Sequence, residues 1–161
     1  MKQMLNANPG LISTRATWDE LAVEAAAHMG LFAMAEWLAD KGAPVSTCTA
    51  VILGLISRVN EAIAADRQCI FERGAHDLPI LAYALYGKEQ TAIADALLKA
   101  GANIHARAFN LTLLHLAASK GYVEAANLLI EHGADVNATV QTAAGKVTPL
   151  ALAARGEKSN R

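Results

Sequence analysis

The chain has 161 residues and a net charge of -1, with 53% hydrophobic and 18% charged residues. That fits one folded domain of ordinary size and offers no basic footprint for nucleic acid and no polybasic signal for a membrane surface. Aromatics are 5% and many of the apolar residues are Ala, so the core must be built from close-packed small side chains. Cys48 and Cys69 make neither a disulfide framework nor a zinc spacing; they read as buried free thiols, which suit a reducing compartment. The opening residues MKQMLNANPGL hold one Lys and no long apolar run, so no signal peptide is expected. No segment reaches the ~20 apolar residues of a membrane span. A cytoplasmic protein is expected.

Helical spacing first shows in ELAVEAAAHMGLFAMAEWLADKGAPV, residues 20–45, where Gly30 divides two apolar runs and Gly42 closes the second. Glycine at such places takes a left-handed backbone without steric cost. Val45 then leads almost directly into TAVILGLI, residues 49–56, which is uncharged and lacks the alternation of a half-buried strand. Taking Gly54 as its break predicts one helix over 47–53 and another over 56–65. A third unit, LPILAYALYGKEQTAIADALLKAGANIHA, residues 78–106, has its glycines Gly87 and Gly101 two residues further apart, which predicts a longer turn between helices. The fourth is TLLHLAASKGYVEAANLLIEHGADVNA, residues 112–138, with apolar residues at helical spacing on both sides of Gly121. TPLALAAR, residues 148–155, begins a fifth unit.

The fourth unit resembles an ankyrin repeat. Thr112, Leu114, His115, Ala117, Ala118, Gly121, Glu124, Leu128, Leu129, Gly133, Ala134, Asp135, Val136 and Asn137 stand in register with that family's pattern, and Leu113 replaces its usual Pro. The resemblance implies an all-α ankyrin-repeat solenoid of stacked helix–turn–helix units with short hairpin fingers, in which each unit buries its apolar face on the next. It implies one domain over 1–161: a partial N-terminal capping repeat 1–16, repeats about 17–46, 47–73, 74–106 and 107–140, and a partial repeat 141–161. The first of these rests on a gapless match of NANPGLISTRATWDEL, residues 6–21, to AADRQCIFERGAHDLP, residues 64–79, which makes residues 1–12 a second helix. The second copy departs from the pattern: the finger before it is missing, and it lacks the Gly-Ala-Asp-Val-Asn ending.

In such a family the fingers and the exposed sides of the first helices form a concave face. The two positions before each mid-repeat glycine are then expected to point into it: His28 and Met29, Ile52 and Leu53, Leu85 and Tyr86, Ser119 and Lys120. The finger tips add Trp18 and Asp19, His76 and Asp77, and Phe109 and Asn110. Ile52 and Leu53 stand equally open between a groove floor and plain core, and Trp18 between a partner contact and packing on the cap. His115 is implied to brace the finger by bonding neighbouring backbone, with Glu24, Cys48 and Leu81 at its place in the earlier copies. Arg15 and Arg73 read as finger-base arginines before anion ligands.

No nucleophile elbow, phosphate loop or zinc motif is present in the sequence. Glu24 and His28 share a helix face, and His76, Asp77 and Tyr83 can approach the same groove. A His beside a carboxylate does acid–base work in a dry pocket, but an ordinary helical ion pair accounts for the spacing. The expectation is therefore non-catalytic recognition of an unidentified protein partner, without cofactor or metal. The alternative is a small-molecule sensor or unconventional enzyme using an apolar groove between fingers 15–20 and 73–78. A piece of a longer ankyrin array is a third reading, and a homodimer through the 148–155 helix a further expectation.

Overall fold

The computed structural model of the protein describes residues 9–13, 20–87, 89–142 and 145–156. Residues 15–19 of the expected finger at 15–20 and most of the expected helix over 1–12 lie outside these residues; Pro9–Ser13 forms a 3-10 helix.

Helix pairs follow one another along the chain. The first is α1 (Ala22–His28) with α2 (Phe32–Asp40), and the second α3 (Thr47–Ile52) with α4 (Ile56–Ala65). A 3-10 helix at Arg67–Phe71 and a turn at Ala75–Asp77 lead to the third pair, α5 (Ile80–Tyr83) with α6 (Thr91–Lys99). The fourth is α7 (Leu113–Lys120) with α8 (Val123–Glu131), and α9 (Pro149–Gly156) begins a fifth. Two antiparallel hairpins stand between pairs, β1 (Arg107–Ala108) with β2 (Leu111–Thr112), and β3 (Val140–Thr142) with β4 (Gly145–Val147). An isolated bridge from Arg73 to Pro79 marks a third finger. Between α2 and α3 there is none, as the short Ala43–Ser46 connection requires.

Local sequence sets these boundaries. Thr112 caps α7 by accepting from the His115 amide, and Ser46 caps α3 by accepting from Thr49 at 3.2 Å. The Ser46 cap shows that Thr49, and not Cys48, stands at the place of His115 in the second copy, because α3 starts one residue later relative to its glycine than the sequence register implied. By the same measure Ala82 replaces Leu81 in the third copy, where Pro79 precedes α5. Gly54 and Gly121 take the left-handed backbone (φ +74 and +71), but Gly87 does not. Gly87 serves a close approach instead: a Cβ there would lie 2.7 Å from Phe32 Cζ. The wide 84–90 segment is the longer turn expected of this copy.

Helix α1 packs on α3, α3 on α5, and α7 on α9, while α4 packs on α6 and α6 on α8. Small residues permit this. Ala26, Ala27, Ala50, Ala82, Ala84 and Ala117 are all buried among the first helices, and Val59, Leu97 and Leu129 fill the layer of the second helices. Polar groups at the pair ends reach across to neighbours. His115 joins Thr112 Oγ1 at 2.7 Å to the Val147 carbonyl at 3.1 Å, Glu89 accepts from the Ala125 amide, and Arg67 donates to the Ala100 carbonyl. The bracing of the finger by His115 is thus present in the fourth copy. Among the described residues no helix is long and apolar enough to cross a membrane.

The opening of TAVILGLI is core: Thr49, Ala50, Val51 and Ile52 are buried, Ile52 to 2%. This removes Ile52 from the expected concave surface, and Leu85, at 0%, with it. Both helices are too short for the two-before-glycine rule. Ile52 is the last residue of α3, and α5 ends at Tyr83, so Leu85 lies in the following turn and folds inward. An unpaired charge buried at such a place costs several kcal/mol. Ile52→Asp is therefore expected to lower the unfolding free energy by several kcal/mol in denaturant titrations followed by circular dichroism. Met29→Asp, at a side chain 77% exposed, should change it by less than about 0.5 kcal/mol. A stable Ile52→Asp chain would show that this residue is not core.

Candidate functional site

His28 ends α1 and is the hub of a polar chain between repeats. Its Nδ1 lies 2.9 Å from Glu20 Oε1 and its Nε2 3.1 Å from the Tyr83 hydroxyl. Tyr83 in turn donates to the Ala75 carbonyl at 3.0 Å. A carboxylate and a carbonyl, both acceptors only, stand at the two ends. Three bonds need three hydrogens, while a neutral imidazole and a phenol carry two. Which ring nitrogen of His28 donates therefore depends on its tautomer.

Tyr83 reaches this position because of Gly74. A Cβ on Gly74 would lie 2.3 Å from the Tyr83 hydroxyl oxygen, so only glycine lets the phenol pass beneath the finger to Ala75. The ring is 1% exposed. Burial foremost, with Cys48, Glu20, Glu24 and Tyr86 adding, pushes its phenol above the ordinary range. The finger beyond it is bent tightly: His76 and Asp77 both take φ +57, and Phe109 and Asn110 of the next finger take +51 and +65. A left-handed backbone costs a non-glycine residue ~1–2 kcal/mol. Asn110 eases this in its hairpin, while Arg73, paired to the Asp77 carboxylate and carbonyl, holds the earlier tip.

Around the polar chain lies a cleft of about 800 Å³. Glu20, Glu24, His28 and Met29 line it from α1 and its approach, Ser46, Cys48 and Thr49 from the start of α3, Glu72 to His76 from the finger, and Tyr83 and Tyr86 from α5 and its turn. Ring centroids of Tyr83, His76 and Tyr86 lie 5.4, 6.2 and 6.4 Å from that of His28. Phe109, 57% exposed, continues the aromatic row 6.4 Å from Tyr86. Lys120 stands with its ammonium 5.6 Å from the centre of the Tyr86 ring and donates to the Tyr86 carbonyl at 2.7 Å.

Of the residues singled out by sequence, His28, Met29, His76 and Tyr86 meet in the cleft, and Phe109 and Lys120 adjoin it. Asp77 is at the finger tip and engaged with Arg73, Leu53 is half-buried against the core, and Trp18 and Asp19 lie outside the described residues. Glu24 and Tyr83 come together with His28 as their spacing allowed. Glu24 Oε2 also accepts from the Leu21 amide at 3.0 Å, closing the start of α1. Glu20, Glu72, Ser46 and Thr49 were missed. The Ser46-x-x-Thr49 spacing, which repeats Thr112-x-x-His115, was the signal for the last two. Glu20 and Glu72 carry no pattern that distinguishes them from surface carboxylates. Among the described residues no group of His, Cys, Asp and Glu is arranged to hold a metal ion.

The Cys48 thiol lies at the floor of the cleft and is held protonated. Burial first, then the Glu72 and Glu24 carboxylates, push it up from 9.0 to about 12. Above pH 9 an unfolded chain releases this proton while the folded chain keeps it, so stability falls as pH rises from about 9 towards about 12. Cys48→Ser is expected to flatten that part of the stability profile, and Cys48 in the folded protein should resist alkylation by iodoacetamide at pH 8 but react once the chain is unfolded. Rapid labelling of native Cys48 would contradict the geometry. Tyr83→Phe leaves the Ala75 carbonyl and His28 short of one partner, which predicts a loss of about 1–3 kcal/mol in denaturant titrations.

A profile of ankyrin repeats (three copies) matches residues 67–160, more than half of the chain. A search of curated proteins finds no match to the sequence. The matched span takes in α5 to α9 and both hairpins, where the caps, the left-handed tips and the His115 bridge repeat the pattern read from residues 112–138. On this evidence of sequence and structure together, the chain belongs to the ankyrin-repeat family.

Proposed function

We propose that the protein is a non-catalytic recognition module that binds a protein partner on the concave side of an ankyrin solenoid. Ankyrin repeats are generally protein-interaction modules, and one observation carries the reading to a place. Met29, Tyr86, Phe109 and Lys120, from the first, third and fourth repeats, stand along the cleft and its rim, with Phe109 and Lys120 both beside the Tyr86 ring. In each first-helix pair of positions at the mid-repeat glycine in the first three copies, the second is the more exposed, as Met29 and Tyr86 show beside His28 and Leu85. Aromatic and Met side chains in such a row favour a protein surface, and a face held rigid by caps and braces loses little entropy on binding.

A second reading has its own support: the cleft falls in the size range of small-molecule sites and brings Glu24, His28, His76 and Tyr83 to one place. Under that reading a compound would stabilise the chain against heat without any protein bound.

The partner reading predicts that a protein captured by the wild-type chain, purified and titrated calorimetrically, binds at least tenfold more weakly to a Met29→Asp, Phe109→Asp double variant that keeps its circular dichroism spectrum. Undiminished affinity would contradict it.

A further inference from the structure

The charges around the cleft do not cancel among themselves. Glu20 is bonded to His28 at 2.9 Å, and Arg73 is paired with Asp77. Among the described residues, Glu24 and Glu72 are bonded to neutral donors, the Leu21 amide and the Thr47 hydroxyl, each at 3.0 Å. Their negative charge is left facing the cleft, and both act on the Cys48 thiol at its floor. His76, on the rim, is the remaining titratable group of the finger that faces this space.

The other wall is aromatic. Tyr83 and Tyr86 each stand ring to ring with His28, and the Tyr86 ring already draws a cation of the chain itself, the Lys120 ammonium. That contact is independent of the two carboxylates and shows the preference of this wall. Ring faces attract ammonium and guanidinium groups, and unmatched carboxylates in a sheltered space add to that attraction while repelling anions. The space of about 800 Å³ has room for a long side chain with its flanking backbone.

We infer that the cleft receives an arginine or lysine side chain carried by an extended segment of the protein partner, with Glu24 and Glu72 taking the charge and the half-buried Tyr86 ring covering the aliphatic stem. This rests on the partner-binding reading above and names what the partner presents.

The test begins with random nine-residue peptides displayed on phage and selected on the wild-type chain. The selected peptides should share a basic residue. In the tightest of them, replacing arginine by citrulline, or lysine by norleucine, should weaken binding at least tenfold. A Glu24→Gln, Glu72→Gln double variant should lose a similar factor. Each glutamine keeps an acceptor oxygen for Leu21 or Thr47, and unchanged thermal unfolding verifies the fold. Peptides that bind without a basic residue, or that bind the double variant as well as wild type, would overturn the inference and leave the partner-binding reading standing. A selection yielding no binding peptide would overturn it as well, whereas the partner-binding reading is decided separately by the Met29→Asp, Phe109→Asp comparison.

Discussion

Everything in this fold depends on how closely successive first helices approach. A helix pair of this size cannot bury its apolar stripe alone, and it does so only by lying against the next pair. The residues at the contact are small: Ala26 and Ala27 on α1, Ala50 on α3, Ala82 and Ala84 in and after α5, Ala117 on α7. Larger side chains there would hold the helices apart and expose Val51, Leu81 and Leu113, each at 1% or less. The same closeness brings His28 within 3.1 Å of Tyr83, 55 residues along the chain. The cleft is in this sense a product of the core: its polar spine can be tied only because the alanines let three repeats converge.

The absence of a finger between α2 and α3 gives the cleft its room. Ala43–Ser46 runs straight into α3, so Ser46, Cys48 and Thr49 form a wall where a hairpin would otherwise stand. On the far side the finger at Arg73–Pro79 is held by the Tyr83 hydroxyl beneath and by the Arg73–Asp77 pair above. Residues kept in a strained backbone persist only where the surroundings over-determine them, and they gather at ligand clamps. His76 and Asp77 are over-determined in this way: Tyr83 from α5 holds the Ala75 side of their turn and Arg73, within the finger, holds the Asp77 side.

Much of this was legible in the sequence, and the limits have physical causes. Repeated glycines and the Thr112–Asn137 motif carried the helix pairs, because these depend on residues close together in the chain, and the resemblance carried the His115 brace, whose far end at Val147 lies 32 residues away. The second helix of the second copy fell at 56–65 as read, and the missing finger was readable from Val45 lying so close to the helix. Burial of Ile52 and Leu85 was not readable. Counting back from a glycine assumes a helix of standard length, and α3 and α5 are cut short at Ile52 and Tyr83. The Glu20–His28–Tyr83–Ala75 chain was only half visible. Helical spacing joined Glu24 to His28 but said nothing of Glu20, whose approach depends on the path of the chain before α1. Nor could it show that Gly74, absent from any glycine pattern, opens the way for a phenol.

The central claim is that recognition takes place on the cleft side of the stacked first helices. Hydrogen–deuterium exchange of the chain, alone and saturated with its captured partner, tests this most directly. The account predicts added protection in segments 20–29, 46–49 and 72–86, with little change in α4, α6 and α8 on the second-helix layer. Protection confined to α4, α6 and α8, with the cleft segments unchanged, would contradict it.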